Sequence, residues 1–478
     1  MTDTGAAPGP ALVRTVAWNT TAQALGKTAV LAIGAVSVAV TTRYLGTAGY
    51  GQLALALAFV QMFGLLADLG LLTVVVREVS RDAAQLQRLV GNALTLRLAL
   101  SVGVIALAGL ASLALPYTPR VRVAIVIAGA PLMLGMANTA LVAVFQARLR
   151  MDRAMVGDVV GRAAAFAALL VAVELDLGFY AVVATGAVGA AVALAITSRL
   201  VRPFARIRPR AQPDVWRSLI VRAAPVGAAL AVTEVYFRAD TVIVSVFRSY
   251  GEVGLYALGY RLIELLGLLP AVIMTSVFPL LSRHLSDGGA LAGRIVDATA
   301  DLFVAIGTPI VAGGLVVAPQ LVRLLGGDRF VGAATPLRIL LVAGALSFVS
   351  GLFGQSLIAG GRERWALRIA LAALVFNVSL NLALVPPYGI NAAAAVAVAS
   401  EVLLVAAGLL LARRELGIAP RFRLLWRAGL AAAAMALALW LVDAWPLAVL
   451  VPLGALLYTA CLWALGGVDR RIIEALRA

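Results

Sequence analysis

Lysine, histidine and cysteine are almost missing from this 478-residue sequence: Lys27, His284 and Cys461 each stand alone. A single cysteine excludes an intramolecular disulfide. A single histidine argues against a multi-histidine metal centre, and no metal is expected as a cofactor. Charged residues of both signs make up only 13% of the chain, against about 25% in ordinary globular proteins. No G-x-x-x-x-G-K-[ST] loop occurs, so nothing points to direct use of ATP. The segment from Met1 to Pro10 lacks the basic region, short apolar run and cleavage site of a secretory signal. The first apolar stretch is therefore expected to act as an uncleaved insertion signal.

What is abundant is apolar surface. Hydrophobic residues account for 62% and the mean hydropathy is +1.00. Soluble domains contain about 45–50% apolar residues, so an excess spread over the whole length cannot be hidden in a soluble core. A bilayer core needs about 20 apolar residues per helix. Stretches of this kind run Ala17–Tyr44, Ala48–Val76, Leu89–Leu115, Val121–Ala147, Ala154–Val173, Gly178–Leu200 and Leu219–Phe247. They continue as Gly254–Leu281, Ala292–Ala318, Ala333–Ala359, Ala366–Leu384, Ile390–Ala412, Leu424–Val442 and Ala448–Leu465. The split between the fifth and sixth rests on Glu174, Asp176 and Gly178. The expected fold class is an all-α integral membrane protein with about 14 transmembrane helices.

The net charge of +16 comes from arginine. A basic chain often marks a nucleic-acid binder. Here the arginines lie in short loops between apolar stretches, so no nucleic-acid partner is expected. Loops after even-numbered spans hold clusters such as Arg77, Arg81 and Arg88, or Arg148, Arg150 and Arg153, and the tail carries Arg470, Arg471 and Arg477. Loops after odd-numbered spans hold far fewer. Arginine-rich loops stay in the cytoplasm, which predicts a multi-pass membrane protein with both termini cytoplasmic.

The longest basic loop, Arg199 to Arg217, also contains Pro203, Pro209 and Pro213. It falls where a linker between two six-helix halves would fall. The segment from Tyr50 to Leu55 resembles that from Val253 to Leu258, and Gln146 with Arg153 resembles Gln355 with Arg362. Six spans per half imply a parallel pseudo-repeat about the membrane normal. The expected organisation is a cytoplasmic tail (1–13), an N-lobe of helices 1–6 (14–202), a basic cytoplasmic linker (203–218), a C-lobe of helices 7–12 (219–415), helices 13–14 (416–466) and a second tail (467–478).

Several motifs carry a family resemblance. Arg43-Tyr44-Leu45-Gly46-Thr47-Ala48-Gly49-Tyr50-Gly51 resembles the R-x-L-G-x-x-x-Y-G turn between the first two helices of bacterial polysaccharide flippases. Asp68-Leu69-Gly70 resembles their D-L-G, and Arg238-Ala239-Asp240 followed by Gly254-Leu255-Tyr256 and Phe278-Pro279 resembles their seventh-to-eighth helix region. Asn377, Asn381, Pro386 and Tyr388-Gly389 resemble a late N-x-x-x-N … P-x-x-G stretch, although Asn391 stands before Ala392-Ala393 where many relatives have glycine. The chain is thus similar to lipid-linked oligosaccharide flippases of the superfamily of multidrug, oligosaccharidyl-lipid and polysaccharide exporters. The resemblance implies two rocking lobes around a central cavity and a polyprenyl-pyrophosphate-linked glycan as substrate. It also implies extra helices that help form a groove for the lipid tail, and work alongside polysaccharide-assembly enzymes.

Charges inside spans are the informative residues, because burial in hydrocarbon costs about 2.5–3.5 kcal/mol even on insertion scales. Lys27, Arg97, Arg222, Arg238 and Arg261 are candidate contacts for a pyrophosphate head group, which guanidinium groups bind well. The structural alternative is internal pairing: Glu234 with Arg238 at i,i+4 and Arg261 with Glu264 at i,i+3. Arg97 and Arg222 lie near cytoplasmic ends and can snorkel. A secondary transporter also needs an ion site that biases one conformation. Asp240, Glu401, Asn377 and Asn381 are candidates for coupling Na+ or H+, with Asp68 a further carboxylate. Asn377 and Asn381 are one turn apart and, with a carboxylate from span seven, can offer oxygen ligands. Their structural alternative is hydrogen bonding between helices. Asp68 can instead satisfy exposed backbone near Gly70, and Glu401 has no evident partner in sequence. Pro225 and Pro270 are expected to kink their spans.

The function expected is translocation of polyprenyl-pyrophosphate-linked oligosaccharide from the inner to the outer leaflet, by alternating access, for surface polysaccharide biosynthesis. A lipid II flippase is the alternative, then a cation-coupled multidrug exporter. A membrane-embedded glycosyltransferase is disfavoured by the short extracytoplasmic loops, so the chain is expected not to be an enzyme.

Overall fold

The computed structural model describes residues 10–286 and 290–467. The tail arginines Arg470, Arg471 and Arg477 and the side chain of Pro225 lie outside the described residues. Among the described residues the chain is helical, with no strand. Helices α1 (Pro10–Asp68), α2 (Leu71–Arg81), α3 (Leu86–Leu113), α4 (Pro119–Ala147), α5 (Met151–Glu174), α6 (Gly178–Val201) and α7 (Pro213–Phe247) come first. They are followed by α8 (Tyr250–Leu266), α9 (Leu268–Ser286), α10 (Ala290–Gly326), α11 (Ala334–Ala359), α12 (Glu363–Tyr388), α13 (Ile390–Leu416), α14 (Leu425–Leu441) and α15 (Leu447–Ala464).

Eleven helical segments are long and apolar enough to cross a membrane. One of them, Leu25–Arg81, has 57 residues, enough for two crossings of a core that takes about 20 residues. With α7, of 35 residues, and α14, of 17, the crossings number fourteen, in the order the hydropathy predicts. The outer faces are apolar. Trp426, Trp440, Trp445 and Trp463 at the ends of α14 and α15 are all exposed, as residues of an interfacial aromatic belt are.

Three departures from the predicted spans have physical causes. The first two spans are one continuous run, interrupted only at Gly46. Its φ of 66° and ψ of −175° belong to a region open essentially to glycine alone, which is what the R-Y-L-G turn requires. Gly46→Ala is expected to destabilise the fold by about 1–3 kcal/mol, measured as a lower midpoint of thermal unfolding in detergent. The second span is itself broken: α1 stops at Asp68, and Leu69 (φ 45°) and Gly70 (φ 74°) are left-handed. The backbone of α7 closes on this break, since a Cβ on Gly227 would lie 2.6 Å from the Leu69 carbonyl oxygen. Beyond the break, α2 is amphipathic. Leu71, Val74, Val75 and Val79 are buried, while Arg77 and Arg81 face out. The eighth span divides at Gly267 into α8 and α9. Pro270 lacks an N–H and its ring crowds the carbonyl four residues back, at Leu266, the last residue of α8.

The chain folds as two compact units, Met1–Arg238 and Ala239–Ala478, with the boundary inside α7. In the first, α3 packs on α4, α4 on α6 and α5 on α6. In the second, α10 packs on α11, α11 on α13 and α12 on α13. These are the same three pairings in span order, third with fourth, fourth with sixth and fifth with sixth, repeated in each half. The α5–α6 pair is drawn together by small residues. A Cβ on Gly161 would lie 2.7 Å from the Ala193 Cβ and 2.8 Å from the Gly189 carbonyl oxygen. Helices α14 and α15 pack on α10 through Ala428, Ala431, Met435 and Leu450. The Tyr458 hydroxyl donates to the Ala305 carbonyl at 2.8 Å where they meet.

Candidate functional site

In the second unit the polar residues of α7, α8, α12 and α13 meet in a buried knot. Asp240 of α7 is 4% exposed, Asn377 and Asn381 of α12 are 1% and 0%, and Ser400 of α13 is 0%. Asn381 and Asn377 share one helix face because they are four residues apart. The Asn381 amide Nδ2 donates to Asp240 Oδ1 at 2.8 Å, to the Asn377 carbonyl at 3.0 Å and to Asn377 Oδ1 at 3.1 Å. Asn377 Nδ2 donates to Ser400 Oγ at 3.3 Å. The Tyr256 hydroxyl, from α8, donates to Asp240 Oδ2 at 3.0 Å. Asn381 Oδ1 is buried with no hydrogen-bond partner. Among the described residues no basic side chain lies within ion-pair distance of Asp240. Its carboxylate is met by neutral amide and phenol groups.

Three of the four predicted ion-coupling residues, Asp240, Asn377 and Asn381, are therefore together. The fourth, Glu401, is next to Ser400 on α13 but engages a different group: Ser350 Oγ donates to Glu401 Oε2 at 2.6 Å. Tyr256, Ser400 and Ser350 were not singled out in sequence. Tyr256 alone carried a signal, lying in the Gly254-Leu255-Tyr256 motif of the family resemblance and in the segment from Val253 to Leu258 that resembles the one from Tyr50 to Leu55. Tyr256→Phe is expected to cost about 1–2 kcal/mol by leaving Asp240 Oδ2 without its donor. This is measured as a lower midpoint of thermal unfolding in detergent.

The five candidate head-group cations are disposed differently. Arg97 is not a snorkelling residue. It is 1% exposed and forms an ion pair with Asp68, the last residue of α1 before the break. Its Nη1 donates to the Met136 carbonyl at 3.5 Å and its Nε is buried without a partner. Asp68 accordingly serves Arg97 and not the free backbone near Gly70. Arg222 is 53% exposed and pairs with Glu78 at 3.3 Å, a carboxylate that Arg77 and Arg81 also approach at 3.7 and 3.9 Å. Both intrahelical pairs form, Arg238 with Glu234 at 3.1 Å and Arg261 with Glu264 at 2.7 Å. Lys27 is exposed and forms no ion pair among the described residues.

A sequence family described as "Polysaccharide biosynthesis protein" matches residues 12–285, more than half of the chain. The chain belongs to that family. The chain is also 30% identical over 159 residues to the "Probable flippase AglR" of Haloferax volcanii. That match covers 32% of the chain and 33% of the relative, so the chain spans about a third of the curated relative it matches. Its fold is that of a solved "Lipid II flippase MurJ, inward closed conformation", with a TM-score of 0.76, 11% identity and coverage of 93% of this chain and 97% of that one. An inward-facing multidrug resistance MATE family transporter of the MOP superfamily has a TM-score of 0.62 at 13% identity, covering 80% and 94%. At such identities the likeness is one of fold. It agrees with the all-helical, multi-span fold class that the sequence predicts, and the family match agrees with the motif resemblance.

Proposed function

We propose that this chain is a flippase that carries polyprenyl-pyrophosphate-linked oligosaccharide from the inner to the outer leaflet by alternating access, coupled to a monovalent cation. It resides in the bacterial inner membrane with both termini cytoplasmic, and works beside the enzymes that build the surface polysaccharide. Family membership and the fourteen-span fold support the class of cargo. The arginine distribution supports the orientation.

The observation that carries the coupling is Asp240, a buried carboxylate without a counter-ion inside a membrane unit. An uncompensated charge there is costly, and a bound Na+ or H+ would relieve it. The oxygens of Asp240, Asn377 and Asn381 are the hard donors that a small cation prefers. One carboxylate among neutral amides matches a single positive charge. Glu401, held by Ser350, offers a second protonatable carboxylate on α13. Binding at either position matters only by favouring one conformation over the other. Exposed Lys27 and the half-exposed Arg222 and Arg261 are the cations free to exchange a carboxylate partner, or water, for pyrophosphate oxygens.

The test is mass spectrometry of polyprenyl-linked lipids in cells lacking the protein, with a probe of leaflet accessibility. A completed pyrophosphate-linked oligosaccharide accumulating in the inner leaflet is the expected result. Accumulation of lipid II alone would reassign the cargo to the peptidoglycan precursor. Unchanged intermediates with new sensitivity to cationic drugs would replace the reading by drug export.

A further inference from the structure

The basic stretch between α6 and α7 is not a loose linker. Phe204 is anchored at one end. Its ring packs edge-on to Phe145 of α4 at 6.1 Å, and the Arg153 guanidinium of α5 lies 4.6 Å from its centroid. At the other end the backbone is laced onto α3. The Arg210 N–H donates to the Gly91 carbonyl at 3.2 Å, the Gln212 N–H donates to Asn92 Oδ1 at 2.8 Å, and Thr95 Oγ1 donates to the Arg210 carbonyl. Asn92, fully buried, returns a bond from Nδ2 to Gln212 Oε1 at 3.1 Å, and Arg88 Nε donates to the same oxygen at 3.3 Å. Gly91 lets the strap lie flat, since a Cβ there would collide with the Arg208 carbonyl. All of these residues belong to the first unit.

Fixing the backbone leaves the arginines outward. Between positions 199 and 217 stand Arg199, Arg202, Arg206, Arg208, Arg210 and Arg217 against the single acid Asp214. All six arginines are exposed and none forms an ion pair among the described residues. The height of the strap decides what it meets. Helix α3 has 28 residues, about 42 Å at 1.5 Å per residue, and exceeds a hydrocarbon core of about 30 Å. The excess of about 12 Å takes the helix ends into the head-group layer, and the strap is bonded within three turns of one end, through Gly91, Asn92 and Thr95. Its exposed arginines thus lie along a membrane-spanning helix, where anionic head groups are the complementary charge.

We propose that residues 202–212 form a preorganised cationic face for the head groups of anionic phospholipids in the adjoining leaflet. The face is independent of the transported substrate, and its failure leaves the flippase reading intact. Basic residues near an anionic surface each contribute to binding, and the attraction decays over a Debye length. The rigid strap loses little ordering entropy on contact, unlike a mobile basic tail.

The probe is phosphatidylglycerol titrated against phosphatidylethanolamine onto the full-length detergent-solubilised protein, read by native mass spectrometry. Wild type is expected to retain phosphatidylglycerol preferentially, and less so as salt rises. Arg206→Gln/Arg208→Gln/Arg210→Gln is expected to weaken retention by about five-fold per arginine removed. Arg413→Gln/Arg414→Gln/Arg421→Gln, equal in charge lost but on exposed residues at the end of α13 and beyond, should change it little. Asn92→Ala keeps every charge but frees the strap, and should also weaken retention. Equal losses in the two triple variants would overturn the proposal in favour of net charge alone. Undiminished retention in the Arg206, Arg208 and Arg210 variant, or equal binding of phosphatidylethanolamine, would overturn it too.

Discussion

Asp240→Asn is expected to abolish the cation dependence of transport while leaving the fold in place. The substitution is nearly isosteric, and an asparagine Oδ1 can still accept from the Asn381 amide or the Tyr256 hydroxyl, so folded yield should stay close to wild type. What disappears is the charge. With Na+ as the ligand, wild-type protein should gain about 2.7 kcal/mol of stability at a concentration 100 times Kd, seen as a raised Tm. The variant should gain nothing. With H+ as the ligand, Na+ is silent for both proteins, and flipping in wild-type vesicles follows an imposed pH gradient that the variant ignores. Asp240→Ala tests the packing as well. It removes the acceptor of the Tyr256 hydroxyl and one of the three acceptors of the Asn381 amide, at a cost of about 1–3 kcal/mol. Cation-driven flipping at the wild-type rate in Asp240→Asn vesicles would sink the coupling proposal.

The largest loss of stability is expected at the other buried charge. Arg97→Leu strands Asp68 beside the break between α1 and α2, and breaking a buried pair by removing one partner costs about 3–5 kcal/mol. Asp68 keeps 22% of its side-chain surface accessible, so this variant should fall near the lower end. Asp68→Leu strands Arg97, which is 1% exposed and already has an unpartnered Nε, and should fall near the upper end. The double variant Asp68→Leu/Arg97→Leu removes both charges and should recover most of the loss, since apolar replacements of buried pairs are often close to neutral. A double-mutant cycle on unfolding in detergent measures this. Strictly additive single losses would show that the two residues do not act as a pair.

The break that sets this pair was hidden in the sequence for a physical reason. Asp68-Leu69-Gly70 lies within an apolar run, and nothing local forces Leu69 into a left-handed conformation. The Gly227 backbone that closes on it comes from α7. Pro270 was easier, because proline breaks a helix through its own ring. The buried cluster around Asp240 shows the same division. Asn377 and Asn381 reveal their shared face by spacing alone. The meeting of Asn381 with Asp240 spans 141 positions, and the sequence offered Tyr256 only as part of a repeated segment and of a family motif. Glu401 looked unpartnered because Ser350 reaches it from another helix.

Sequence alone determined which segments enter the membrane and where the arginines gather. Each follows from a local quantity: transfer free energy over about 20 residues and loop charge. Tertiary structure decided which buried charges are answered. Asp68 finds Arg97 on α3, whereas Asp240 finds neutral amide and hydroxyl groups. Both are aspartates within apolar segments, and hydropathy treats them alike. Only the packing of distant helices supplies a counter-charge to one and, among the described residues, none to the other.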